Sequence, residues 1–233
     1  VPARHFVQNY RTYESSDSNG SNGYAATLCG NEFTHKDSIS LKIGATKTIG
    51  EFVIAPEILR FLSKRNHTLE LHIDNTDILL SMLEDSRIDF AIIEGVFDKS
   101  HYKYHLMKKE KFVGICSKEH PFANKIVNIS DIFKEHLILR EVGSGTRKIF
   151  EQALNDQGFL TSCFSSCSSI SNFSVICNAV SNNGAITFGY KPVATSHKDL
   201  ACFEIEDIHI SGEFNFVYCN EKIAREKIEL FYT

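Results

Sequence analysis

The chain has 233 residues, is 42% hydrophobic and 23% charged, and carries a formal net charge of -4. That balance gives no general attraction to nucleic acid, and no apolar run approaches the roughly 20 residues that a membrane-spanning helix requires. The N-terminus lacks the basic region and apolar core of a secretory signal, so a soluble cytoplasmic protein with one large domain or two small ones is expected.

Residues 1–38 include "ESSDSNGSNGY", polar and turn-rich without apolar periodicity, which reads as a flexible segment with no helix-turn-helix pattern. From Ile39 the chain becomes regular. "ISLKIG" is a predicted strand, followed by a helix through Phe52, Ile58, Leu59 and Leu62 in which Pro56 marks a kink or a fresh first turn. "LELHID" is a second strand, "TDILLSMLED" a helix, and "IDFAIIEG" a third strand so continuously apolar that both its faces should be covered. This βαβαβ order predicts a parallel sheet with right-handed crossovers.

"YKYHLM" and "KFVGICS" are two further predicted strands, after which the alternation resumes. A helix near Ser130–Glu135, a strand at 137–140, a helix at 146–156 and a strand near 161–167 are expected. Helix 172–181 and strand "GAITF" complete this second set. "FNFVYCN" then gives a strand and "EKIAREKIELF" a closing amphipathic helix. Two similar α/β units therefore share the chain, and open α/β sheets bind ligands at the carboxyl ends of their strands.

Three predicted strand-to-helix turns carry hydroxyls. "IGATKTIGEF" sets Thr46 and Thr48 around Lys47. "LILREVGSGTRKIFEQAL" passes through Gly143, Ser144, Gly145 and Thr146, and "SSISNFSVICNAV" places Ser169, Ser171 and Asn172 before an apolar helix. A helix start leaves N–H groups without partners and carries the positive end of the helix dipole, so such turns make anion cradles. They are equally ordinary capped turns when taken singly. Lys47 and Arg147 are candidate cations, with solvated first-turn side chains as the alternative. Glu94, just after the third strand, either orients a hydroxyl or an amine or faces solvent. A bulky apolar residue at Thr48 or Ser144 should abolish ligand binding without harming the fold, and Gly145→Val should impair the site if Gly145 needs a positive φ.

Catalysis finds little support. Neither a Gly-x-Ser-x-Gly elbow nor a phosphate-binding Gly-Lys-Ser/Thr pattern is present, and no carboxylate pair stands out by spacing. The seven cysteines, an odd number without metal-ligand spacing, suit a reduced compartment, and neither a metal nor a cofactor is expected. A non-enzymatic protein is the expectation.

The stretch from "LKIGATKTIGEF" through "DFAIIEG", "EKFVGICSKEHPFA" and "LILREVGSGTRKIFEQAL" to "VICNAVSNNGAITF" resembles the effector-binding domain of LysR-type transcriptional regulators over roughly residues 39–233. The resemblance implies two Rossmann-like subdomains joined by two crossover strands, the type 2 periplasmic-binding-protein-like architecture. The crossings fall near Glu110–Phe112 and Ser211–Phe214, with subdomain I at 39–111 plus 212–233 and subdomain II at 112–211. It also implies a small effector in the cleft between subdomains, contacted by Thr46 and Thr48 on one side, by Ser144, Gly145 and Thr146 on the other, and by Asn172 on a third loop. The "REVGSGTR" wording is nearest to members tied to sulfur assimilation and carbon fixation, and sulfate, sulfite, a small carboxylate or an acetylated amino acid would suit the cradle. A homodimer, tetrameric at full length, is implied, with DNA contacted only through an N-terminal domain that residues 1–38 are too short to supply. Such a chain is a truncated, processed or divergent form and should not bind DNA alone. A free-standing solute-binding protein serving a transporter is the alternative reading.

Overall fold

The computed structural model describes residues 38–232 except Asp207, so the flexible segment expected at 1–38 lies almost wholly outside the described residues. Strand β1 (Ile39–Thr46) leads into helices α1 (Lys47–Phe52) and α2 (Ala55–Leu62). The break between the two helices coincides with Pro56, which sits in the first turn of α2, where a missing N–H removes no hydrogen bond. Strand β2 (His67–Asp74), helix α3 (Thr76–Glu84) and strand β3 (Phe90–Glu94) follow. Asn75 caps α3 by accepting from Ile78 N–H at 3.0 Å. β1 pairs in parallel with both β2 and β3, and every residue of β3 is buried, as its unbroken apolar run requires.

The two strands expected at "YKYHLM" and "KFVGICS" are one, β4 (Lys103–Ser117). The polar residues Lys108–Lys111 interrupt the apolar pattern without interrupting the ladder, because there the strand passes between subdomains. Beyond it lie β5 (Ile126–Val127), the single-turn helix α4 (Ile129–Ile132), β6 (His136–Leu139) and α5 (Gly145–Asp156). A single 3-10 turn at Thr161–Cys163 and strand β7 (Ser166–Ser169) occupy the stretch read as one strand near 161–167. Helix α6 (Phe173–Asn183), strand β8 (Thr187–Tyr190), helix α7 (Lys191–Thr195) and strand β9 (Leu200–Ile205) complete the second unit. Neither α7 nor β9 is among the elements expected from the sequence. Strand β10 (Ile210–Tyr218) returns to the first unit and helix α8 (Glu221–Tyr232) closes it.

The strand order shows the same plan twice. In the first unit it runs β2-β1-β3-β10-β4. In the second, β6 pairs with β7, β8 and β9 both pair antiparallel with β4, and Leu137 bridges to Ile186 beside β8. The order is therefore β7-β6-β8-β4-β9, with the two-residue β5 added in parallel at the β9 edge. β4 and β10 pair antiparallel from Ile210↔Phe112 to Tyr218↔Lys103, with a register shift at Phe214/Asn215. These are the two crossover strands.

Apolar packing follows the layers. Phe61, Phe90, Phe216 and Phe231 join α2, β3, β10 and α8, while Phe150, Phe188 and Phe203 join α5, β8 and β9. Phe150 and Phe188 stack with centroids 4.0 Å apart. Gly212, in β10, allows a close approach: a Cβ there would overlap the hydroxyl of the fully buried Tyr190. That hydroxyl has no hydrogen-bond partner. Among the described residues no helix is long and apolar enough to cross a membrane.

Candidate functional site

The carboxyl ends of β1, β3 and β6 open onto a cleft of about 1020 Å³. Its geometry centres on Glu94, the last residue of β3. Thr46, at the end of β1, is the N-cap residue of α1 but makes no side-chain capping bond; its hydroxyl instead accepts from the Glu94 N–H at 3.3 Å. Thr48, in the first turn of α1 and fully buried, donates to Glu94 Oε1 at 2.7 Å. From the second subdomain Thr146, in the first turn of α5, donates to the same oxygen at 3.5 Å. Three hydroxyls from two subdomains thus hold one acidic residue.

Glu94 is only 5% exposed, and its second oxygen, Oε2, is buried without a partner. Burial raises its pKa from an ordinary value near 4.5 to about 7, against the opposing pull of the Thr48 hydrogen bond, the Arg140 charge and the Thr146 hydrogen bond. Near neutrality this carboxyl can therefore either donate or accept a hydrogen bond.

The second wall is the turn between β6 and α5. Gly143 adopts φ +93°, which lets the chain reverse out of the strand, and Ser144 is the N-cap of α5. The Ser144 hydroxyl makes no capping bond, and Gly143, Ser144 and Gly145 all line the cleft. The first N–H groups of a helix lack intrahelical acceptors, so the start of α5 is electropositive. The condition set for Gly145 is not met: the positive φ in this turn belongs to Gly143. Gly145 is instead the first helical residue, and a Cβ there would meet only the Glu94 carbonyl oxygen, at 3.9 Å.

The candidate cations are engaged differently from expectation. Lys47 lines the cleft and reaches across it to Glu141, Nζ to Oε1 3.1 Å. Arg147 faces away, paired with Glu151 at 2.7 Å along α5 and donating to the Arg140 carbonyl at 3.2 Å. Besides Lys47, the cleft is lined by Lys148 and by Arg140, which is 4% exposed, bound to both Glu141 oxygens at 2.8 and 3.0 Å and lying 4.2 Å over the Phe173 ring. Partial burial pushes the Glu141 carboxyl up, but its hydrogen bonds to Arg140 and Lys47 and the Arg140 charge outweigh this and hold it at about 2.

Of the residues singled out in the sequence, Thr46, Lys47, Glu94, Gly143, Ser144 and Gly145 line the cleft. Thr48 and Thr146 stand behind its wall and act through Glu94. Asn172 is not among the lining residues: it caps α6, accepting from Val175 N–H at 3.1 Å. Arg140 and Glu141 were missed. The signal available was a charged pair directly following a buried apolar strand.

With this geometry in view, residues 35–233 match the family model described as the LysR substrate binding domain. The chain belongs to this family. Relatives of the LysR domain include the HTH-type transcriptional regulator CysL of Bacillus subtilis, 30% identical over 74% of this chain and 56% of that protein. An uncharacterized HTH-type transcriptional regulator of Methanocaldococcus jannaschii is 29% identical over 71% of this chain and likewise 56% of its own length. The chain thus spans little more than half the length of these curated relatives.

Among solved structures, the Synechocystis PCC6803 CcmR regulatory domain in complex with 2-PG superposes with a TM-score of 0.69 at 16% identity, covering 82% of this chain and 95% of that one. The effector binding domain of QuiR in complex with shikimate gives 0.67 at 14% identity, covering 83% and 95%. The fold is therefore that of LysR effector-binding domains, the type 2 periplasmic-binding-protein-like architecture. The chain is a LysR-type regulatory effector-binding domain, and the transporter-associated alternative has no support among these relatives.

Proposed function

We propose that this LysR domain senses a small anion, a sulfate- or sulfite-like oxyanion or a small carboxylate, bound between the start of α5 and Glu94. The observation that carries the reading is the convergence on Glu94 of hydroxyls from both subdomains, directly opposite an electropositive helix start. The anion lies against the N–H groups of α5 and the Ser144 hydroxyl, while Glu94 Oε2 meets a hydroxyl, amine or protonated oxygen of the ligand. Shikimate, named in a QuiR complex of the same fold, is itself a hydroxylated carboxylate.

In this reading subdomain I comprises 39–111 plus 212–233 and subdomain II comprises 112–211. An effector that touches both favours one inter-subdomain geometry by its unequal affinity for the alternatives. The domain pairs with a second copy, and a DNA-binding region elsewhere in a longer, cytoplasmic, tetrameric protein reads that geometry. Leu59, 70% exposed on α2, supports a homodimer surface, and sedimentation equilibrium checks it.

The test is a thermal-shift and calorimetric screen of sulfate, sulfite and small carboxylates on this chain and on Ser144→Leu. A ligand at about 100 times its Kd should stabilise the fold by roughly 2.7 kcal/mol. Loss of that shift in Ser144→Leu, with an unchanged ligand-free melting temperature, is the expected result. An equal shift in the variant overturns the assignment.

A further inference from the structure

We propose that Glu141 is a built-in occupant of the effector's anionic position, and that binding exchanges its carboxylate for the ligand's on Lys47 and Arg140. This rests on the cleft being an anion site, as argued above, and concerns which side chain the anion must displace.

Lys47 begins α1 in one subdomain and Arg140 follows β6 in the other, yet both direct their charge at a single carboxylate. Glu141 lines the cleft and opens the turn into α5, its carbonyl accepting from Ser144 N–H at 3.2 Å. The carboxylate therefore lies in the same turn as the helix start that would receive an anion.

The three groups differ in what holds them. Arg140 is buried, seated on the Phe173 ring, and stays in place when its partner leaves. With Glu141 displaced, Arg140 keeps only longer-range attraction to Glu51 and Glu94 and, among the described residues, no hydrogen-bonded carboxylate. That is a costly state for a buried guanidinium, and an incoming anion relieves it. Glu141 and Lys47, by contrast, each have side chains about one-third exposed, and a displaced Glu141 can turn to water. An anion entering at the α5 terminus competes with a carboxylate already attached to the chain, hence present at high effective concentration. The Lys47–Glu141 pair also ties one subdomain to the other, so the exchange replaces a protein tie by a ligand tie and couples occupancy to cleft geometry.

Calorimetric titration of the full chain with inorganic sulfate at low ionic strength, for the wild type and Glu141→Gln, tests this. Removing the competing charge should tighten sulfate binding about tenfold or more. Binding of equal or lower strength in Glu141→Gln, while the wild type binds and Ser144→Leu does not, overturns the exchange and leaves the anion reading standing, with Glu141 only positioning Lys47. Failure of sulfate, sulfite and small carboxylates to bind either form overturns both.

A second measurement does not depend on the variant. In the sulfate-saturated wild type, the NMR signal of a carboxyl-labelled Glu141 should titrate in the ordinary carboxylate range. An unchanged low titration in the bound state also overturns the proposal.

Discussion

Thr48 Oγ1 lies 2.7 Å from Glu94 Oε1, while Glu94 Oε2, on the same carboxyl, is buried without a partner. One oxygen is fixed by the protein and the other has no hydrogen-bond partner among the described residues. The pKa of about 7 makes that arrangement sensitive to pH. Because the folded value lies above the unfolded one near 4.5, the folded state holds the proton more tightly. The associated stability is present below about pH 4.5 and is lost as pH rises through about 7. A shift of this size corresponds to about 3 kcal/mol. Glu94→Gln should flatten the stability profile over this window and raise stability at pH 8, as measured by urea denaturation at several pH values. Anion affinity in the wild type should also fall above pH 7, by about tenfold per pH unit if one proton is linked, and the variant should lose that dependence.

Thr48→Val tests the donor side. Thr48 is fully buried, so the bulky replacement that the sequence reading allowed would break the packing, whereas valine matches its shape. Loss of the hydroxyl leaves Glu94 Oε1 with only the longer Thr146 bond, at about 1–3 kcal/mol. The hydroxyl favours the ionised carboxyl, so the destabilisation should be larger at pH 8 than at pH 5 by denaturant titration.

The two glycines of the α5 turn should behave oppositely. Gly143 has a positive φ that alanine adopts only with strain, so Gly143→Ala should destabilise by about 1 kcal/mol even though nothing crowds its Cβ. Gly145 is helical with an ordinary contact, and Gly145→Ala should be neutral or stabilising by up to about 1 kcal/mol. Chemical denaturation of both variants checks the contrast.

Where β10 passes Tyr190, Gly212→Ala should be strongly destabilising, by about 1–3 kcal/mol, because its Cβ overlaps a ring that is fully buried. Tyr190→Phe should do the reverse. Its hydroxyl is buried without a partner, and removing it relieves a desolvation cost on the order of 1 kcal/mol. Thermal melts of the two variants should move in opposite directions.

Much of this molecule was readable in order along the chain. β1, α3 and α5 each carry an apolar period matched to their structure, β3 an unbroken apolar run matched to its burial, and Pro56 marks a helix start by a missing N–H. β7 was misplaced because Ser166–Ser169 has no apolar pattern to read, and α7 is too short, at five residues, to show a period. At the site, the turns and their hydroxyls were legible because each lies within one stretch of sequence. The Lys47–Glu141 tie was not, since 94 residues separate its ends and only the packing of two subdomains joins them.

The pairing of β4 with β10 has a mechanical consequence. The two connections between subdomains are neighbouring strands of a single ribbon, hydrogen-bonded on both sides of the crossing. Sliding one subdomain past the other would shear that ladder, whereas twisting the ribbon would keep it intact. The linkage thus resists sliding of the subdomains more than twisting between them. In the effector-sensing reading proposed above, a bound ligand would act by fixing the twist of that ribbon, a quantity with a single sign and size.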